Sequence, residues 1–323
     1  MSHTVVTGAS GVVGGAVVRH LVAGGHAVIA TSRSDDSDRV VSGLGASPVR
    51  ADILDPSTLV RAMAGADVVY HVAGVNEMCG RRPDTMVRAN VLGSLNTVRA
   101  ARAAGVRRVV YTSSAAALGE PEGAVGDESS AHRGWYLSEY ERSKRLAERA
   151  VLSERGIDVV AVCPSSVQGP GRATGTARLI LDVLTGRLPA LVDTRLSIVD
   201  IDDCARGHLL AAELGVTGER YLLNSFTLRT REAVDLLQRI AGTSIRVRYL
   251  PGWLASAAGA AIEAACRLGG RQPPICREMV RTMRHGHSYD GSKATRDLGL
   301  QYSSAEETLR RVVEWFRDQG MVP

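Results

Sequence analysis

Tyr140 and Lys144 stand four residues apart in the stretch Trp135-Tyr-Leu-Ser-Glu-Tyr140-Glu-Arg-Ser-Lys144. On a helix that spacing puts both side chains on one face, within reach of each other. A free phenol has a pKa of about 10, too high for easy proton exchange at neutral pH. A neighbouring ammonium favours the phenolate and lowers that value. Alone, the pair is a common surface pattern. Here it follows a glycine-rich opening, Thr7-Gly8-Ala-Ser10-Gly11-Val12-Val13-Gly14, and a hydroxyl pair, Ser113-Ser114, at the end of an apolar run. A tyrosine placed for proton transfer, a serine to hold the same oxygen and a turn that can cradle phosphates point to hydride exchange with a nicotinamide dinucleotide.

Such residues need a frame. Short Val/Ile-rich runs at Thr4–Val6, Ala27–Thr31, Pro48–Arg50, Val68–Val72, Val109–Thr112 and Val159–Val162 read as buried strands. Between them, Gly14–Ala23, Pro56–Ala64, Met86–Ala104 and Tyr136–Glu154 have helical spacing. The alternation predicts an α/β fold, a doubly wound parallel sheet of the Rossmann type. Functional loops then lie at the carboxyl ends of the strands. Gly8 would permit the tight turn after the first strand, Gly11 a close backbone approach to phosphate, and Gly14 close helix–strand contact.

After about Pro164 the alternation weakens. Gly169-Pro170-Gly171 marks a turn, and a loop-rich region is expected up to Pro189. Leu196–Asp202 reads as a returning strand followed by a helix from Asp203, with further helices at Gly252–Leu268, Arg277–Arg284 and from about Ala305. The expected division is a nucleotide-binding domain over residues 1–165 and an irregular substrate lobe over 166–323, with segments near 196–212 returning to the core.

The chain resembles the extended branch of the short-chain dehydrogenase/reductase superfamily. The resemblance rests on the G-x-x-G-x-x-G spacing, Asp52-Ile53, His71-Val72-Ala73-Gly74, Asn90-Val-Leu-Gly93-Ser94, Ser113-Ser114, Tyr140-x-x-x-Lys144 and Pro164-Ser-Ser-Val167. It implies that Tyr140 exchanges the proton, that Ser114, with Ser113 the runner-up, holds the reacting oxygen, and that Lys144 also holds the nicotinamide ribose. It further implies that Asn90 orders the site. Cofactor contacts are expected from Gly8, Ser10, Gly11, Val12, Val13 and Gly14 to the pyrophosphate and from Asp52 and Ile53 to the adenine. Val72, Ala73, Gly74, Pro164 and Val167 would line the remainder, the last two bracketing the nicotinamide. His71 is expected to pack near the cofactor.

The end of the second strand reads Ala30-Thr31-Ser32-Arg33. An acidic residue there would hold a ribose 2′-OH and repel a 2′-phosphate, whereas a guanidinium can fork onto the phosphate. NADP(H) is therefore expected, with NAD(H) the alternative if Asp35 or Asp36 takes the ribose. The expected reaction interconverts a ketone and a secondary alcohol on a small or moderately apolar metabolite. The segments Asp193–His208 and Tyr289–Ala294 resemble both dihydroflavonol-reductase-like proteins and hopanoid-associated sugar epimerases. An epimerase or dehydratase retaining NAD is thus the alternative reading, and a non-catalytic NADP sensor a remote one, since Tyr140 and Lys144 are both present. Trp253–Ile262 could wall an apolar pocket or simply pack on its neighbours. Arg172, Arg178, Arg187 and Arg195 could bind a sugar-nucleotide pyrophosphate or be solvated charges. The resemblance also implies a homodimer built on the helices of Asn90 and Tyr140, with Val98–Ala104 and Leu146–Leu152 as apolar faces.

The bulk properties fit these expectations. The 323 residues carry a net charge of +5 with the two signs interleaved, which argues against a nucleic-acid arm. No apolar stretch is long enough to span a bilayer, and no signal-like leader is read. The five cysteines form no C-x-x-C pair and meet no His cluster in sequence. Structural zinc and disulfides are therefore not expected, and the reading is reduced thiols in a cytoplasmic protein with no metal site. His132, His285 and His287 belong to no motif.

Overall fold

The computed structural model describes residues 3–80, 82–188, 190–244 and 246–322. The first six strands form where alternation predicts them: β1 (His3–Thr7), β2 (Ala27–Ser32), β3 (Ser47–Arg50), β4 (Ala66–His71), β5 (Arg108–Thr112) and β6 (Asp158–Pro164). Helices α1 (Val12–Ala23), α2 (Asp35–Gly43), α3 (Pro56–Met63), α4 (Pro83–Ala103) and α5 (Glu139–Leu152) connect them. The seventh strand of the sheet comes from much later in the chain. It follows β7 (Ser166–Gln168), β8 (Ala190–Val192) and β9 (Arg195–Asp200), and is β10 (Arg220–Leu223). The sheet runs β10-β6-β5-β4-β1-β2-β3 and every pairing in it is parallel.

Near-continuous apolar strands need cover on both faces. Helix α7 (Ile201–Leu214) and α1 close one face around Val17, Val18, Val162 and Ala205; α3, α4 and α5 close the other around Leu59, Val98, Val109 and Val151. Strand order reverses at β1 and β4, the place where ligands bind in doubly wound sheets. Val98 and Val151, expected on a dimer face, are fully buried in this chain's own core.

The remaining elements form two smaller sheets and their covering helices. A three-stranded sheet joins β7, β9 and β11 (Phe226–Arg229), and β12 (Arg248–Leu250) pairs with β8. Helices α6 (Thr176–Leu184), α8 (Thr230–Ala241) and α12 (Ala305–Asp318) share a core of Ile180, Leu181, Leu237, Val312 and Phe316. Helices α9 (Gly252–Leu268) and α10 (Arg277–His285) pack together where a Cβ on Gly259 would come 2.6 Å from Val280. Helix α11 (Ser292–Leu298) returns to the main sheet's cover, through Ala294 and Leu298.

Some expectations are corrected. The stretch expected to be loop-rich contains α6, whose Ala177, Ile180 and Leu181 are buried; Pro189 lies outside the described residues. Helices α2 and α8 and strand β10 had no counterpart in the sequence reading. Helix α7 starts at Ile201, because Asp200 caps it by accepting from the Asp202 N–H at 2.8 Å. Cys79 and Cys276 are joined in a disulfide with a Cα–Cα distance of 5.6 Å, so the expectation of five reduced thiols is wrong. The bridged residues lie 197 positions apart, on the loop after β4 and at the start of α10, and no local spacing could reveal them. Cys163, Cys204 and Cys266 are free. No helix among the described residues is long and apolar enough to cross a membrane.

Candidate active site

The turn after β1 is built by contacts that leave no room for side chains. Gly8 has φ +72°, and a Cβ there would lie 2.6 Å from the Ala73 nitrogen, so the loops after β1 and β4 touch. A Cβ on Gly14 would lie 2.2 Å from the Gly8 carbonyl oxygen. Gly11 caps α1 without any side-chain hydrogen bond. The first N–H groups of a helix have no partner within it, so those of Val12, Val13 and Gly14 can serve a ligand anion. Ser10 and Gly11 are exposed beside them. This open, donor-rich cradle could hold a pyrophosphate.

At the end of β2, the Ser32 hydroxyl is buried and donates to the Asp38 carboxylate, which the sequence reading did not single out. Asp38 also pairs with Arg50 at 2.7 Å, Asp35 pairs with Arg50 and Asp36 with Arg39. The acidic residues of α2 are thus all engaged, while Arg33 is exposed at the strand end. Asp52 accepts from the Leu54 N–H at 2.9 Å, and Ile53 packs so closely on α4 that a Cβ on Gly93 would come 2.6 Å from it.

Tyr140 and Lys144 lie together on α5, as the spacing predicts. The helix begins at Glu139 rather than near Tyr136, because the Ser138 hydroxyl caps it by accepting from the Glu141 N–H at 3.2 Å. Tyr136 is outside the helix, with its ring edge-on to His132. Tyr140 sits in the first helical turn, where the helix dipole favours a phenolate. Burial pushes the Tyr140 phenol up; a hydrogen bond with Ser114 and the charge of Arg172 pull it back. Burial draws the Lys144 ammonium down to about 8, against the pull of Cys163 and Glu148. Lys144 donates to the Thr112 carbonyl at 2.9 Å. The chain's own help for the phenolate comes from Ser114 and Arg172.

The two serines after β5 point to different places. Ser114 reaches Tyr140 and accepts from the Ala116 N–H at 3.3 Å. Ser113 donates to Glu148 at 2.5 Å, and that buried carboxylate also receives Cys163 at 3.2 Å and Arg220 at 3.1 Å. Glu148 was missed, although it stands one helical turn beyond Lys144. Asn90 is buried and spans three partners: it accepts from the Val75 N–H at 2.7 Å and donates to the Val75 carbonyl at 2.9 Å and to Ser143 at 2.8 Å. It thereby ties the loop after β4 to α5. A Cβ on Gly74 would come 3.2 Å from Lys144 Nζ. Val72 takes its place through an N–H donated to the Thr7 carbonyl at 3.2 Å.

His71 is fully buried between Thr7 at 2.7 Å and Ser94 at 3.0 Å. Burial and the Lys144 charge hold its pKa at about 3, so it stays neutral. Pro164 ends β6, and Val167 lies in β7 with its carbonyl accepting from Arg172 at 3.1 Å. Of the four lobe arginines, Arg172 alone is close enough to act on Tyr140; Arg178 is paired with Asp182 at 2.9 Å. The sequence offered no means of separating them. Helix α9 buries only Ala255 and Gly259 and exposes Trp253, so its main contact is with α10.

Residues 4–223 match the NAD dependent epimerase/dehydratase family. The chain is 34% identical over 98% of its length, and 95% of the relative's, to a Synechocystis protein assigned as a dihydroflavonol 4-reductase. It is 31% identical to the 2-alkyl-3-oxoalkanoate reductase of Shewanella oneidensis, covering 97% of this chain and 86% of that one. Its fold is similar to the crystal structure of gox2253, with a TM-score of 0.87, 33% identity and full coverage of both chains.

Proposed function

Since the chain belongs to the NAD dependent epimerase/dehydratase family, within the extended short-chain dehydrogenases/reductases, we propose that it interconverts a ketone and a secondary alcohol using NADP(H). The observation that carries this reading is the convergence of Ser114, Tyr140 and Lys144 at the end of β5, opposite the glycine cradle. The relatives named as reductases of oxo compounds favour a small or moderately apolar ketone over a nucleotide sugar.

The cofactor fits what the chain presents. Gly8 and Gly14 let the loop after β1 pack directly on its own backbone and on the loop after β4, and the helix N-terminus beside them offers donors to a pyrophosphate. Ser10, Val12 and Val13 complete that cradle. Arg33, exposed at the end of β2, would meet a 2′-phosphate, with Ser32 beside it. Asp52 and Ile53 would flank the adenine, and Val72, Ala73, Gly74, Pro164 and Val167 the nicotinamide half. When bound, the nicotinamide supplies or takes the hydride. In reduction, Tyr140 passes its phenolic proton to the carbonyl oxygen, and Ser114 donates a hydrogen bond that steadies the charge developing there. In oxidation, Tyr140 takes the proton back. Lys144 holds the ribose hydroxyls and contributes positive charge, and Asn90 positions α5 against the loop after β4. Arg172, whose charge acts on Tyr140, would meet a second substrate oxygen. We assign residues 166–323 as the substrate lobe, with 196–212 returning to the core, and infer a homodimer, which scattering mass would check.

The test is to purify the protein and identify any nicotinamide that comes with it, then to compare NADPH with NADH. An empty site preferring NADPH is expected. Tightly retained NAD would overturn the reading in favour of an epimerase. Tyr140→Phe should lose several orders of magnitude in turnover with cofactor affinity nearly unchanged; near-normal turnover would refute the mechanism.

A further inference from the structure

Outside this site, one group of side chains is placed for a chemistry that the proposed reaction does not use. Glu120 follows the short helical turn after β5, and His285 and His287 flank Gly286 at the end of α10. Gly286 has φ +65°, a conformation that favours glycine, and both imidazoles face Glu120. Glu120 Oε1 lies 2.6 Å from His287 Nδ1 and 3.7 Å from His285 Nε2, and one donor atom from each residue falls within 4.8 Å of the others.

The donors are withdrawn from water. The side chains of Glu120 and His285 are 2% and 3% exposed, yet Glu120 Oε2 and His285 Nε2 have no hydrogen-bond partner among the described residues. An unpaired buried polar atom costs about 1–3 kcal/mol, so two in one cluster call for a ligand that supplies what the protein does not. Arg133, beside the cluster, is already engaged: it pairs with Glu141 and donates to the Glu120 carbonyl at 3.0 Å. Tyr289 places its hydroxyl 3.0 Å from His287 Nδ1 and gives the cluster a polar backing.

We propose that Glu120, His285 and His287 bind a divalent ion of the zinc class. Two imidazoles and a carboxylate suit zinc and its first-row neighbours, not magnesium or calcium. A tetrahedral ion with bonds of about 2.0–2.2 Å keeps its donors roughly 3.3–3.6 Å apart. The 3.7 Å separation is close to that already, and the 2.6 Å contact opens when the ion replaces the hydrogen bond. His287, with 21% of its side chain exposed, gives a route in, and a water completes the shell. The ion would fasten the turn after the Ser113-Ser114 segment to α10, next to the strand-like contact between Gly126 and Tyr289. Its role is to clamp the lobe to the sheet.

The test uses the full chain, stripped with chelator and titrated with Co2+. One equivalent should bind with the visible absorption of a tetrahedral site, and Zn2+ should displace it. His285→Gln and, at the more exposed position, His287→Gln should each weaken binding by at least the roughly 10–100-fold that losing an outer-shell partner costs, with circular dichroism unchanged. Absence of Co2+ binding to the wild type would overturn the proposal. So would the same absorption in folded His287→Gln, which would place the ion elsewhere.

Discussion

Ser113 and Ser114 are adjacent, chemically identical, and predicted to fail in opposite ways. In Ser114→Ala the fold loses little, because Ser114 gives its backbone neighbour only a 3.3 Å contact. The reacting oxygen loses a donor whose removal from comparable sites costs about 10²–10³ in kcat, or roughly 3–4 kcal/mol. Turnover should fall by that factor with cofactor affinity and melting temperature nearly unchanged. In Ser113→Ala the damage is to the fold. The buried carboxylate of Glu148 loses its 2.5 Å donor but keeps Arg220 at 3.1 Å and Cys163 at 3.2 Å. Losing one of several partners of a buried charge costs about 1–3 kcal/mol. For 323 residues, an unfolding entropy of about 2.1 cal/mol/K per residue makes 1 kcal/mol worth about 1.5 °C, so melting should drop by roughly 1.5–4.5 °C. Turnover per folded molecule should stay within a few-fold of wild type. The assay is NADPH oxidation with a ketone that the wild type accepts, alongside thermal melts of all three proteins. If Ser113→Ala abolishes turnover and Ser114→Ala does not, the assignment of the two hydroxyls is wrong.

Burial holds Lys144 near 8 in the folded chain against 10.5 when free, so folding releases its proton between those values. The buried charge costs stability below pH 8, and that cost is relieved as pH rises from about 8 to 10.5. Activity that needs the ammonium should instead fall, giving kcat/KM a descending limb near pH 8 while Lys144 does not lower the melting temperature there; a profile flat to pH 10 would count against a charged Lys144. Arg33→Asp should reverse the preference from NADPH to NADH by about tenfold or more, the loss of a charge-assisted hydrogen bond worth roughly 1.5–3 kcal/mol; unchanged selectivity in initial-rate measurements would remove Arg33 from cofactor recognition. Thiol titration of the unreduced, denatured protein should count the three free cysteines. Reduction should lower melting by up to about 8 °C, since closing a loop of this length is worth at most about 5 kcal/mol, and Cys276→Ser should make melting insensitive to reductant. Five titratable thiols before reduction would contradict the bridge.

The sequence by itself determined the alternating strands and helices, the glycine turn and the Tyr140–Lys144 spacing. These are local: strand burial follows from short apolar runs, helix phase from residue spacing, and the turn from where a Cβ cannot fit. The same locality explains what it left open. Helix α2 is short and highly charged, α6 lies in a stretch marked by turn residues, and β10 is a four-residue run that becomes a strand only because β6 offers an edge. Only the tertiary structure decided which serine faces Tyr140, because that depends on Glu148 and α5 packing beneath β5. It placed Ser114 and Arg172 beside Tyr140, because burial and distance set a pKa and spacing does not. It joined Cys79 to Cys276 and gathered Glu120, His285 and His287 from distant segments, as chemistry assembled across the fold has no period in the chain.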